Sequence, residues 1–127
     1  MKAILDTYAF LWALAGDARM SRLARDTFAG PGGLSLSIAS IWEILIKVHS
    51  GKLNLPRPAA PYVLRKLAEN RIEVLPISID HLLALERLPM HHPDPFDRML
   101  IAQSLEEKLP IITSDPWFSH YPVEVIW

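Results

Sequence analysis

Four acidic residues stand where this chain otherwise carries apolar side chains. Asp6 follows an Ala-Ile-Leu run, and Glu43 interrupts the segment Ile-Trp-Glu-Ile-Leu-Ile. Asp97 follows Asp-Pro-Phe at the start of a largely apolar segment, and Asp115 follows Ile-Ile-Thr-Ser. A carboxylate in an apolar environment costs free energy unless a positive group neutralises it. One divalent metal site that binds all four is the most economical explanation.

Convergence of these carboxylates would define both the metal and the reaction. Two unit charges ~4 Å apart repel by about 4 kcal/mol at an effective dielectric constant near 20, so convergence implies bound cations. An all-oxygen ligand set favours Mg²⁺ or Mn²⁺ over zinc, without separating the two. Such metals activate water and stabilise the attacking and leaving oxygens of a phosphodiester. The acids therefore predict hydrolysis without a covalent intermediate.

Taken singly, each of the four acids also has a structural interpretation, which for Asp97 is a surface residue stabilised by the helix dipole. Asp6 and Asp115 each end an apolar run, at a position where Asp often caps a following helix and where α/β sheets also bind ligands. Glu43 and Lys47 have the spacing of an i,i+4 ion pair, which contributes only ~0.2–0.5 kcal/mol. The polar residues of that segment form one narrow seam, which would then be its solvent edge: Ser40, Glu43, Lys47 and Ser50.

The segment HHPDPFDR at residues 91–98 contains two acids with different expected roles. Asp94 followed by Pro95 is typical of an N-cap and the first helical residue. Asp97 then falls in the first turn, where the helix dipole favours negative charge, and it also shares the stripe of the buried side chains that follow. His91 and His92 lack zinc-ligand spacing, which favours a loop role for both.

These residues require elements that bring distant parts of the chain together. Strand-length apolar runs alternate with longer helical patterns, which predicts an α/β fold with a central, mostly parallel sheet of about five strands flanked by helices. The predicted strands are residues 3–5, 34–36, 73–77, 110–113 and 123–126. The predicted helices are residues 8–15, 21–29, 39–50, 61–70, 79–88 and 95–108.

Composition bounds the class of protein. With 127 residues, half of them hydrophobic, the chain is predicted to form one domain over residues 1–127. The lack of cysteine excludes disulfides and thiolate chemistry and suits a reducing cytoplasm. The net charge is -1, but 10 acids face 13 Lys and Arg once the four embedded acids are set aside. A nucleic-acid partner is therefore not excluded, whereas no apolar run is long enough to span a membrane.

With the four acids and their flanking residues in this order, the chain resembles the PIN domain family, specifically the VapC-type toxin ribonucleases of type II toxin-antitoxin pairs. The resembling segments are ILDT at residues 4–7 with Trp12 downstream, SIASIWEI at 37–44 with Lys47, HPDPFDRMLIAQ at 92–103 and TSD at 113–115. The third segment is the most specific. Together the segments extend over nearly the whole chain.

The resemblance implies a three-layer PIN-like fold and a Mg²⁺- or Mn²⁺-dependent endoribonuclease. Its catalytic, metal-binding residues would be Asp6, Glu43, Asp97 and Asp115. Thr7, Ser40 and Thr113 match positions that often support this site by hydrogen bonding. The resemblance further implies a homodimer, inhibition by a VapB-type antitoxin, and an RNA substrate of the tRNA or ribosomal RNA class.

Some roles remain open at the level of sequence. Lys47 and Arg98 adjoin the acids and either contact a scissile phosphate or balance the carboxylates. Several large side chains on the early helices form either plain core or a protein interface: Tyr8, Phe10, Leu11, Trp12, Leu14 and Trp42.

Three functions compete. The favoured one is the metal-dependent endoribonuclease toxin. A non-catalytic PIN scaffold that binds RNA or a protein is expected of a chain whose acidic set has decayed, and here all four positions are filled. A phosphoaspartyl enzyme with Asp6 as nucleophile is disfavoured, because phosphatases that resemble haloacid dehalogenases place a second Asp two residues later, where this chain has Tyr8.

Overall fold

A five-stranded parallel sheet forms the centre of the molecule. The computed structural model describes residues 2–127. Its strands are β1 (Ala3–Leu5), β2 (Leu34–Ser37), β3 (Glu73–Leu75), β4 (Ile111–Ile112) and β5 (Val125–Ile126). They lie in the order β3-β2-β1-β4-β5, and every neighbouring pair is parallel. The α/β prediction is confirmed, with β3, β4 and β5 each about two residues shorter than expected.

Six α-helices connect and cover the strands within the described range. They are α1 (Thr7–Ala15), α2 (Arg22–Ala29), α3 (Ile38–His49), α4 (Ala59–Glu69), α5 (Ile79–Arg87) and α6 (Pro95–Glu107). A short 3-10 helix, Pro116–His120, follows β4 and was not predicted from the sequence. None of the helices in residues 2–127 combines the length and apolarity needed to cross a bilayer.

Local sequence signals set where several of these helices begin and end. Ser37 caps α3 by accepting a hydrogen bond from the backbone N–H of Ala39 at 3.0 Å. Asp94 caps α6, and Pro95 occupies its first turn, where its missing N–H is harmless. Helix α1 ends at Gly16, whose φ of 63° is strained for residues with a Cβ.

The sheet has an apolar core on each face, because side chains along a strand point alternately to opposite sides. Leu5 and Ile112 belong to a cluster with residues of α1, α2, α3 and α4. Ile4 and Ile111 belong to a second cluster with Leu100 of α6 and residues near the 3-10 helix. All of these strand residues are fully buried, as is usual for parallel strands. The result is a three-layer arrangement.

Helix α3 turns an apolar stripe outward. Ile38, Trp42 and Ile46, spaced one turn apart, are 43%, 59% and 43% exposed. Ser40 and Glu43 on the polar seam are buried. The interpretation of that seam as the solvent edge of the helix is therefore wrong for these two residues. Ser40 and Glu43 therefore face inward, whereas the apolar stripe faces outward.

Candidate metal centre

Two of the predicted acids lie where adjacent strands end. Strands β1 and β4 pair in parallel with Leu5 opposite Ile112, so their carboxyl ends meet at one edge of the sheet. Asp6 directly follows β1, and Asp115 lies three residues after β4. Strand β1 has β2 on one side and β4 on the other, and this reversal of strand order opens a crevice where α/β sheets bind ligands.

Two helices carry the other acids to the same edge. Glu43 is on α3 and Asp97 is in the first turn of α6. All four predicted acids line one open cleft of about 320 Å³. The remaining lining residues are Tyr8, Trp12, Arg19, Lys47, Asp94 and Ser114. Four elements distant in sequence therefore contribute one carboxylate each to a single cleft.

Asp6 is held by the end of β4 rather than used as a helix cap. Its side chain makes no capping hydrogen bond to α1 within the described chain. Thr113 Oγ1 instead donates to Asp6 Oδ2 at 2.7 Å and accepts a hydrogen bond from the backbone N–H of Asp115 at 3.0 Å. Burial raises the pKa of Asp6 to about 6, against the lowering effects of the Thr113 hydroxyl and of the nearby backbone N–H of Tyr8. Asp6 therefore occupies the N-cap position of α1, but its carboxylate is hydrogen-bonded to Thr113.

Glu43 is buried, and one of its two carboxylate oxygens accepts a hydrogen bond. The residue is 3% exposed, and its Oε2 accepts a hydrogen bond from Lys47 Nζ at 2.7 Å. Lys47 Nζ also donates to the hydroxyl of Tyr8 at 2.8 Å. Burial by itself lowers the pKa of Lys47, but the hydrogen bonds to Glu43 and Tyr8 outweigh it and raise this pKa. Glu43 Oε1 has no hydrogen-bond partner among residues 2–127.

The pKa of Asp97 is raised further than that of Asp6. Burial, followed by the negative charges of Asp6, Asp94, Glu43 and Asp115, raises its pKa to about 8. Asp94 performs the predicted capping role, since its Oδ1 accepts hydrogen bonds from the backbone N–H groups of Phe96 at 2.8 Å and Asp97 at 3.1 Å. A positive charge placed among these carboxylates would favour the ionised form of Asp97.

Asp115 has two roles in the structure. Its Oδ1 accepts a hydrogen bond from the backbone N–H of Trp117 at 2.9 Å, which caps the 3-10 helix. Its Oδ2 lies 3.1 Å from the Nε2 of His92. The capping alternative raised from the sequence is therefore correct for Asp115, and the same carboxylate also lines the cleft.

The sequence pattern predicted only a loop role for His92, and the structure places it at the acids. The residue does lie in the loop before α6, but it is 5% exposed and its Nε2 is 3.1 Å from both Asp97 Oδ2 and Asp115 Oδ2. One ligand atom from each of His92, Asp97 and Asp115 lies within 4.8 Å of the others. The one indication in the sequence that His92 belongs to the site was its closeness along the chain to Asp94 and Asp97. His91 remains exposed beside Tyr121 and His120.

The supporting residues divide into two groups. Thr113 contacts Asp6, and Thr7 Oγ1 donates to Ser40 Oγ at 2.8 Å, which joins the starts of α1 and α3 beneath the acids. Arg98 lies outside the cleft lining: its guanidinium donates to the carbonyls of Leu88 and Pro89 and to the hydroxyl of Tyr121. These contacts do not favour either role considered for Arg98, whereas Lys47 lines the cleft.

Arg19 also lines the cleft and was not singled out from the sequence. Its guanidinium stacks over the ring of Trp12 at 4.4 Å and forms an ion pair with Asp17 at 2.7 Å. Lys47 and Arg19 therefore place positive charge at the rim of an acidic centre. No sequence pattern identified Arg19, because its place depends on how the loop after α1 packs.

Open α/β sheets bind ligands at the point where the strand order reverses, and the carboxylates of this chain gather there. Comparison with protein families is more specific. The model of the PIN domain matches residues 3–124, and the chain belongs to the PIN domain family. Comparison with curated proteins gives no significant match.

Three solved structures that share this fold belong to toxin-antitoxin systems. A chain of VapBC2 from Rickettsia felis, solved bound to a promoter DNA fragment, has a TM-score of 0.71 at 12% identity, covering 98% of this chain and 97% of that one. A chain of a toxin-antitoxin complex from Klebsiella pneumoniae gives 0.66 at 18%, covering 98% and 96%. A chain of VapBC-5 from Mycobacterium tuberculosis gives 0.67 at 20%, covering 98% and 97%. At identities this low, the three matches show a shared fold alone.

Proposed function

We propose that this protein is a metal-dependent endoribonuclease, the toxin of a VapBC-type toxin-antitoxin pair. The observation that carries the proposal is the meeting of Asp6, Glu43, Asp97 and Asp115 in one cleft. PIN family membership supports a nuclease, and the toxin-antitoxin neighbours support the toxin role.

The cleft fits a divalent cation. Glu43 Oε1 is buried and lacks a hydrogen-bond partner among the described residues, a situation that costs free energy unless a positive ligand satisfies it. Asp6 and Asp97 both have raised pKa values, so they also gain from added positive charge. Asp6, Glu43, Asp97 and Asp115 would hold the cation through carboxylate oxygens, which suit Mg²⁺ or Mn²⁺.

The protein's own residues supply binding and orientation for hydrolysis. A bound cation would activate water and neutralise charge on the phosphodiester. Thr113 fixes the orientation of Asp6, and Lys47 and Arg19 stand at the rim, where they can contact RNA phosphates on either side of the cleaved bond. Asp6 is buried and acts as a ligand in this scheme rather than as a nucleophile.

An apolar groove adjoins the acidic cleft and supports an antitoxin partner. The groove has a volume of about 310 Å³ and shares Tyr8, Trp12 and Arg19 with the cleft. Its other lining residues include Leu11, Leu14, Leu53, Leu55 and Tyr62. A VapB-type segment with an apolar face would fill this groove and cover the entrance to the cleft, which would block RNA.

The outward stripe of α3 supports a homodimer. Ile38, Trp42 and Ile46 form a row of exposed apolar side chains, and Trp42 packs edge-to-face on Phe96 at 5.2 Å. Exposed Leu82 and Leu83 of α5 add apolar surface. Rows of this kind are usually covered by another protein chain, and a second copy is the partner we propose.

The test is RNA cleavage by purified protein freed of any antitoxin, with a mixture of tRNA and ribosomal RNA as substrate. We expect cleavage with Mg²⁺ or Mn²⁺, none with excess EDTA, and none by Asp6→Asn or Asp97→Asn. Asp26→Asn is the matched control, because Asp26 is exposed on α2 and pairs loosely with Arg22 at 3.9 Å. Equal cleavage with EDTA would exclude the metal mechanism. RNA binding without cleavage by the wild type would support the non-catalytic scaffold instead.

A further inference from the structure

His92 is held firmly in a position between two of the proposed ligands. Its ring lies 5.8 Å from the ring of Phe118 in an edge-to-face contact and 5.9 Å from that of Trp117. The backbone N–H of His92 donates to the hydroxyl of Tyr121 at 2.9 Å. Residues of the 3-10 helix pack against the ring, and Tyr121 directly after this helix holds the backbone of His92, so the orientation of the ring toward the acids is set by the fold.

The hydrogen bond at the other ring nitrogen determines the tautomer. The backbone N–H of Asp94 donates to His92 Nδ1 at 3.1 Å, so Nδ1 must carry the lone pair. A neutral imidazole has one protonated nitrogen, and here it is Nε2. That nitrogen faces Asp97 Oδ2 and Asp115 Oδ2, each at 3.1 Å. The ring therefore donates to Asp115, while Asp97 Oδ2 lies at the same distance without hydrogen-bond geometry.

We propose that His92 is a positioning residue that holds Asp115 for the cation by donating its Nε2–H to it, that its ring lies against Asp97 at 3.1 Å, and that it is not itself a ligand. This inference rests on the metal site of the proposed function. A ligand role would need the lone pair at Nε2, which is incompatible with the acceptor role of Nδ1 unless the contact to Asp94 breaks.

The arrangement also couples the ring to the start of α6. Asp94 donates its backbone N–H to the ring, while its carboxylate caps the helix through Phe96 and Asp97. One residue thus fixes the tautomer of His92 and the first turn that carries Asp97. On the other side, Asp115 is fixed by the backbone of Trp117. His92 bridges these two units, which are 18 residues apart from Asp97 to Asp115.

Calorimetric titration with Mn²⁺ alone, on the full-length protein free of antitoxin, tests this role. His92→Phe preserves the ring shape and removes the donor, and we expect it to weaken Mn²⁺ binding by about 10–100-fold, the usual cost of losing such a partner. His92→Gln places an amide donor close to the position of Nε2 and should restore most of the affinity. His91→Phe is the matched control, because His91 is exposed and lies outside the cleft lining.

A spectroscopic measurement on the wild type separates positioning from coordination. Electron spin echo modulation of the Mn²⁺-bound protein should show no directly coordinated ¹⁴N nucleus. Imidazole coordination in this experiment would overturn the proposal, and so would wild-type affinity in His92→Phe. If the wild-type protein binds no Mn²⁺, the proposed metal site is excluded, and so is the proposed role of His92. Normal metal binding without RNA cleavage would instead contradict only the proposed function. If His92→Phe does not fold, the spectroscopic measurement on the wild type still tests whether His92 coordinates the metal.

Discussion

Thr113 Oγ1 donates a hydrogen bond of 2.7 Å to Asp6 Oδ2 across the ends of β4 and β1, although the two residues are 107 positions apart. Thr113→Val keeps the shape and removes the hydroxyl. We expect the pKa of Asp6 to rise further and Mn²⁺ affinity to fall by about 10–100-fold. Isothermal calorimetry measures the affinity. Thr113→Ser retains the hydroxyl and should bind nearly as the wild type, and an equal loss in both variants would contradict the hydrogen-bond explanation.

Lys47 compensates the buried charge of Glu43 in the metal-free protein. Lys47→Gln removes the positive charge, and we expect the free energy of unfolding in EDTA to fall by about 1–3 kcal/mol, because a buried charged group loses its partner. Added Mn²⁺ should recover part of the loss by supplying a new counter-charge. Urea denaturation with EDTA and with Mn²⁺ measures both values. Lys52→Gln, at an exposed lysine, should change neither; an equal loss in the two variants would contradict this role.

Asp97 should make the metal-free protein less stable as pH rises. Its folded pKa of about 8 lies above the ordinary Asp pKa of 3.8, so between these two pH values the folded protein holds a proton that the unfolded chain releases. The stabilisation that this bound proton gives to the folded protein is complete below about pH 4 and is lost as the pH rises through about 8. Asp6 acts in the same direction up to about pH 6.

Denaturant unfolding in EDTA across this pH range, on wild type and Asp97→Asn, measures the slope. The variant should show a weaker decline, and saturating Mn²⁺ should remove most of the decline in the wild type, because the cation favours the ionised carboxylates. Identical slopes for wild type and Asp97→Asn would show that another group causes the pH dependence.

The outward stripe of α3 should hold two copies together. Trp42→Glu places a charge at the centre of the stripe, and we expect a monomer, since an unpaired charge is costly in an apolar interface. Light scattering after size exclusion measures the mass. Leu23→Glu is the matched control, because Leu23 on α2 is 55% exposed and outside the stripe. A wild-type monomer, or a dimer that survives Trp42→Glu, would exclude this interface.

Local chemistry allowed much of the fold to be predicted. The apolar runs before Asp6 and Asp115 are real strands, and the Asp94-Pro95 pair does begin α6. The ends of β3, β4 and β5 were less predictable, because a strand stops where its neighbour stops pairing. The 3-10 helix after Asp115 was missed, since a single turn of helix leaves little periodicity to detect.

The sequence by itself determined which four acids were worth following, because each stands in an apolar segment where an unpaired charge is costly. Only the tertiary structure shows that His92 reaches Asp97 and Asp115, that Arg98 turns away, and that α3 buries Ser40 and Glu43. The physical reason is that a pattern along the chain reports periodicity, whereas contacts depend on which neighbouring element packs against each face. Glu43 faces inward because α1 and α6 supply the other walls of the cleft.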